Sequence, residues 1–124
     1  MNVLWLIGGL LSVLIGLAHS ILGEKLVLRP LIKRDNLPVL LGRPDFMRQT
    51  LRFTWHLTTV FLASIGVIVM ALSSAESGTQ SAWLMRIFAI TFAACSLLSL
   101  VGARARHFSW WVFLTIAVLL WFGA

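Results

Sequence analysis

Charge is scarce in this chain, and that scarcity decides its setting. Asp, Glu, Lys and Arg make up only 11% of the 124 residues, hydrophobic residues make up 60%, and mean hydropathy is +0.97. No polar stretch is long enough for a separate soluble domain, so residues 1–124 are expected to form one membrane-embedded domain. A pI near 11.5 would suggest nucleic acid in a soluble protein. Here it reflects a few cations on a nearly charge-free chain, and no nucleic-acid partner is expected. Cysteine is almost absent too. The single Cys95 excludes an intramolecular disulfide and CxxC chemistry, and its apolar surroundings make it a small packing residue. The sequence has no HExxH, no paired Glu-x-x-His, no CxxCH and no Gly-rich phosphate loop. The middle of every apolar run lacks ionisable residues, the usual marks of an ion or proton path, and no broken helix or internal repeat suggests a secondary transporter.

What is present is a set of four apolar runs. Val3 to Leu22 has no charge, Phe53 to Leu72 is apolar from its aromatic start, and Trp83 to Val101 carries Arg86 alone. The fourth, 106–122, is the shortest, with its apolar stretch confined to Phe108–Phe122. A perpendicular helix needs about 20 residues to cross a hydrocarbon core of ~30 Å, so the last run must recruit its flanks or lie where the bilayer is thin. Long runs without alternation make helices rather than a barrel, because the backbone must satisfy its own polar groups in lipid. The expected fold is all-α, an up-down bundle of four transmembrane helices with an interfacial elbow between the first two.

Tryptophan and charge orient the bundle. Trp5, Trp83 and Trp121 fall at one set of run ends, and Trp55, Trp110 and Trp111 at the other, as two headgroup-level belts would require. Lys25, Arg29, Lys33, Arg34, Arg43, Arg48, Arg52, Arg104 and Arg106 all map to one face, leaving Arg86 and Glu76 on the opposite side. The positive-inside rule then puts both termini outside a plasma membrane, of bacterial inner-membrane type, and the charged connection in the cytoplasm. Met1 to Leu6 lacks a basic start and Ala18-His19-Ser20 is a poor cleavage site, so the first run is expected to be a retained anchor.

The connection over 23–52 mixes aliphatic residues with cations and is expected to lie along the headgroups, its cations toward lipid phosphate. Asp35-Asn36 reads as a turn. Gly42-Arg43-Pro44-Asp45 reads as a break and a helix start, after which Asp45, Arg48 or Gln49, Arg52 and His56 share one face. Juxtamembrane cations ordinarily set topology and hold anionic lipid. The sharper alternative is an anionic-headgroup or ligand site on Arg48 and Arg52.

All three histidines fall near the same boundary: His19 ending the first run, His56 opening the second and His107 opening the fourth. Gly8, Ser12, Gly16 and Ser20 form a small-residue ridge suited to close helix approach, and His19 lies within its arc. On the second run Thr59, Ala63 and Val67 share the face of His56. Gly66, Ala89, Ala93 and Ser96 add further small residues, consistent with tight packing within the bundle or between copies in a homo-oligomer or larger complex.

The working expectation is a metal or haem site. His19, His56 and His107 with Glu24 suit zinc, iron or copper, and His19 with His56 would suit axial haem ligation. Interfacial histidines that bind backbone or lipid, and a proton-responsive cluster, are the competing readings. The corresponding whole-protein alternatives are a non-catalytic accessory subunit and a protein that binds or processes anionic lipid. Ser20, Ser64, Ser99 and Cys95 are available nucleophiles with no activating partner legible in the sequence; Ser20 beside His19 is a sequence neighbour that cannot face it. The strings from Ala18 to Glu24 and from Thr54 to His56 look like motifs without an attached activity.

Overall fold

The computed structural model describes residues 1–39, 42–43, 45–74, 79–102 and 108–124. Among them the chain is all-helical, in four helices: α1 (Val3–Ile32), α2 (Phe46–Ser73), α3 (Thr79–Gly102) and α4 (Ser109–Gly123). The first three are long and apolar enough to cross a membrane, while α4 is an apolar helix of 15 residues.

Helix α1 is longer than its hydropathy run, which corrects the start of the expected 23–52 connection, whereas α2 begins just after Asp45, where the sequence reads a helix start. Gly23 to Ile32 continues α1, and Phe46 to Arg52 already belongs to α2. At 1.5 Å per residue, the 30 residues of α1 reach about 45 Å, longer than a ~30 Å hydrocarbon core. The helix accommodates Pro30 on the way. A proline has no N–H to donate and crowds the carbonyl four residues back. Ahead of it the helix widens into a π-helical turn over Gly23–Leu28, with the Arg29 N–H bonded five residues back to the Glu24 carbonyl. The connection that remains turns at Gly42, whose φ of +68° is left-handed and favours glycine. Asp45 then holds the N-cap position of α2.

Helix α1 packs against α2 and α4, and α4 packs against α3. Contacts along each pair run in opposite directions. Asn2 meets Ser73 at one end of α1–α2, and Glu24 meets Arg52 at the other. Gly8 lies against Leu120 and Asn2 against Gly123 on α4; Ser96 donates to the Trp110 carbonyl at 2.8 Å, and Ser99 meets Ser109. Neighbouring packed helices are therefore antiparallel.

Along the α1–α2 seam the packed residues are small and the outward ones large, an arrangement that lets two helices approach closely. Gly8, Gly9, Ser12 and Gly16 are buried on α1, while Leu10, Leu14 and Leu17 face outward. A Cβ on Gly9 would stand 2.7 Å from the Gly66 carbonyl oxygen, and one on Gly66 would stand 2.6 Å from that of Gly9. The two backbones touch there. Ser12 donates across the same seam to the Leu62 carbonyl at 2.8 Å. The larger core lies between α3 and α4, around Met85, Ala89, Phe92, Ile116 and Leu120.

Two further expectations need correcting. Trp5 is 2% exposed and packs in the core beside Gly123 instead of joining a headgroup belt, whereas Trp83, Trp111 and Trp121 are exposed. Val67 faces outward, because the packed face of α2 drifts through Thr59, Gly66, Val69 and Ser73.

Candidate functional site

The two motif-like strings face each other. The seam of small residues brings α1 onto α2 closely enough for side chains one or two turns beyond Gly16 to interlock. Gly23 is buried under the Trp55 indole; a Cβ there would overlap the ring. Trp55 Nε1 donates to the His19 carbonyl at 3.0 Å, and its ring stacks on the His19 imidazole at a centroid separation of 4.6 Å and 4° between planes. His19 Nε2 lies 3.1 Å from the Thr58 hydroxyl. One face and one nitrogen of that ring are thus engaged.

His56 is the centre of a second set of contacts. Its Nδ1 lies 2.5 Å from Ser20 Oγ, and its Nε2 lies 3.4 Å from Glu24 Oε2. Glu24 is gripped in turn by Arg52, with Nη2 2.7 Å from Oε1 and Nε 3.3 Å from Oε2, while Arg29 Nε approaches Oε1 at 3.6 Å. A continuous polar chain therefore runs Ser20, His56, Glu24, Arg52, with Arg29 at its side. Glu24 sits within the π-helical turn, a distortion often found at functional positions.

Beyond Arg52 the chain opens on a groove of about 450 Å³ lined by Ile32, Asp45, Arg48, Gln49, Arg52 and Phe53. Arg48 ties its base together: Nε donates to the Ile32 carbonyl at 3.0 Å, Nη1 to Asp45 at 3.0 Å and Nη2 to the Arg34 carbonyl at 3.4 Å. Phe53, 66% exposed, supplies an apolar wall. Arg48 and Arg52 do share one face, as the helical spacing predicted, and both also serve as structural clasps.

The expected metal set is only partly gathered. His56 and Glu24 meet, but His19 turns to Thr58 and Trp55, and His107 lies outside the described residues. No group of three or more His, Cys, Asp or Glu among the described residues is placed to share a metal ion. Axial haem ligation by His19 and His56 also lacks a setting, since Ser20 and Glu24 occupy the nitrogens of His56, and Trp55 covers His19. Sequence reasoning named Ser20 without its partner and left Thr58 unread. The available signal was register: with Gly9 set against Gly66 in an antiparallel pair, Ser20 falls opposite His56 and Glu24 opposite Arg52. Compared with known proteins, the chain matches no family model, no curated protein and no solved structure.

Proposed function

We propose that this chain is a four-span membrane protein, with its termini outside and its Glu24 end cytoplasmic, that binds the headgroup of an anionic amphiphile in the groove beside Arg52. The observation that carries this reading is the groove itself, lined by Arg48 and Arg52 together with Phe53 and Ile32, with Asp45 paired to Arg48 at its edge. A charged headgroup and the start of an acyl chain ask for cations beside apolar side chains. Net charge favours an anion over a metal cation. The segment 23–52 holds seven Lys and Arg against three Asp and Glu, and two of those arginines already face Glu24.

A metal reading keeps one specific support. His56 Nε2 and Glu24 Oε2 are 3.4 Å apart, close to the separation of two ligands each about 2.1 Å from a tetrahedral zinc. Arg52 and Arg29 compete for the same carboxylate, which places this reading second.

Native mass spectrometry on protein released from nanodiscs of mixed phosphatidylglycerol and phosphatidylcholine tests the first reading. Wild type is expected to retain the anionic lipid selectively, and Arg48→Gln and Arg52→Gln each to weaken retention roughly 5-fold, from about 1 kcal/mol per interfacial cation. Equal retention of both lipids by wild type sinks the groove. Stoichiometric zinc, lost in His56→Ala, would move the metal reading to first place.

A further inference from the structure

We propose that Ser20 is a nucleophile activated by His56, and that it acts by acyl transfer on a carboxylic ester of the amphiphile held at Arg52. The substrate class rests on the groove reading; the nucleophile rests on its own geometry.

That geometry is the 2.5 Å approach of Ser20 Oγ to His56 Nδ1, with the opposite ring nitrogen facing Glu24. A carboxylate stabilises the tautomer whose proton lies on Nε2. The Nδ1 lone pair is then left to accept from the serine hydroxyl. Nucleophile, base and orienting acid thus stand in the order that activates a hydroxyl in unrelated folds. Arg52 and Arg29 fix the carboxylate from the far side, so Glu24 is a positioning residue. Both reacting groups are half-buried.

Depth selects the substrate. Ser20 lies four residues before Glu24 on α1, about 6 Å further toward the hydrocarbon at 1.5 Å per residue. In a glycerophospholipid the ester carbonyls lie on that side of the phosphate. A phosphate held at Arg52 therefore directs an ester toward Ser20.

In the first step the Ser20 hydroxyl proton passes to His56 Nδ1 as Oγ bonds to the ester carbonyl carbon. The carbon–oxygen bond to the alcohol then breaks, and the alcohol leaves as a lysolipid carrying the proton from His56. Water attacks the acyl-serine, giving its proton to Nδ1. The fatty acid is released and Ser20 recovers its proton.

The test is covalent labelling of the full chain in phosphatidylglycerol nanodiscs with a fluorophosphonate probe, the adduct located by peptide mass spectrometry. A phosphonylated Ser20 is expected in wild type, with labelling slowed about 100-fold or more in His56→Gln, judged only if that variant elutes as a single species with wild-type helicity. Wild-type protein incubated with the ester lipid should also release fatty acid and lysolipid. An ether-linked phosphatidylglycerol, which cannot be cleaved, scores binding separately. Absence of a Ser20 adduct in wild type overturns the inference, as does undiminished labelling in folded His56→Gln. Ether lipid retained without cleavage of the ester form overturns it while leaving the groove standing. A labelled Ser20 with no selective retention of ether lipid overturns the groove and its substrate class but keeps the nucleophile.

Discussion

The two ends of the α1–α2 pair solve different problems. At the amino-terminal end the polar side chain in play is Asn2, the N-cap residue of α1, and its partners are helix termini. Its N–H donates to the Ser73 carbonyl at 2.7 Å, its Nδ2 to the Gly123 carbonyl at 2.7 Å, and its Oδ1 accepts from the Trp5 N–H at 3.3 Å. Helix ends leave backbone groups without partners inside their own helix. One neutral residue thus ties α1 to the ends of α2 and α4. At the other end, Ser20, His56, Glu24 and Arg52 are directed at one another, and none of those contacts satisfies a helix terminus. Closing a helix pair needs no such chain of ionisable groups. An arrangement of polar groups in excess of what the fold requires is what a working site looks like, and the contrast with Asn2 makes the excess visible.

The largest effect should come from the middle of the pair, which both ends share. Gly66→Leu places a side chain where the Gly9 carbonyl oxygen would stand 2.6 Å from its first carbon, and neither backbone can step aside locally. Helix α1 should lift from α2 at a cost near the upper part of the overpacking range, about 3 kcal/mol. Unfolding in mixed detergent and dodecyl sulfate measures it. Loss of less than about 0.5 kcal/mol, well below that range, would mean that the helices are not seated glycine to glycine, and the contacts at both ends would lose their basis.

Gly23→Ala separates the ends. Its new methyl group overlaps the Trp55 indole, so the ring must leave His19 and give up its 3.0 Å bond to the His19 carbonyl. A cost of about 1–3 kcal/mol is expected from overpacking. In histidine-labelled protein the ¹⁵N resonances of both His19 and His56 should move, while the amides of Asn2 and Ser73 stay in place. Unmoved histidine resonances would show that the indole does not set this end of the seam.

The expected four helices are present, and their reason was legible: long apolar runs and a ridge of Gly8, Ser12 and Gly16 that is indeed buried. The start of α2 was legible too, at Asp45, but the far end of α1 was not. Lys25, Arg29 and Pro30 break the hydropathy of α1, but long cationic side chains let a helix continue past the hydrocarbon, and a π-helical turn accommodates the proline. Trp5 was misplaced for a related reason. An indole near a run end suits either a headgroup or a gap between helices, and only the glycine at position 123 opens that gap. The polar chain was half legible. Every member was singled out by type, yet His19 drew attention as the neighbour of Ser20, whereas the residue facing Ser20 lies 36 positions away. Hydropathy carries no information about helix rotation; register does, and it depends on which glycines meet.

Asn2→Ala should have the smallest effect and is the sharpest test of the contrast. It removes the side-chain bonds to Gly123 and Trp5 but leaves the backbone bond to Ser73. Interhelical side-chain bonds in membranes average about 0.6 kcal/mol, with roughly 1 kcal/mol typical of intramolecular hydrogen bonds generally, so a loss of about 1 kcal/mol is expected. Because the seam through Gly9 and Gly66 is untouched, fluorophosphonate labelling of Ser20 and retention of phosphatidylglycerol should match wild type. A change in either would mean that the helix ends communicate through α1 as a rigid lever. The Asn2 clasp would then belong to the site's own positioning, and the division between a structural end and a working end would fail.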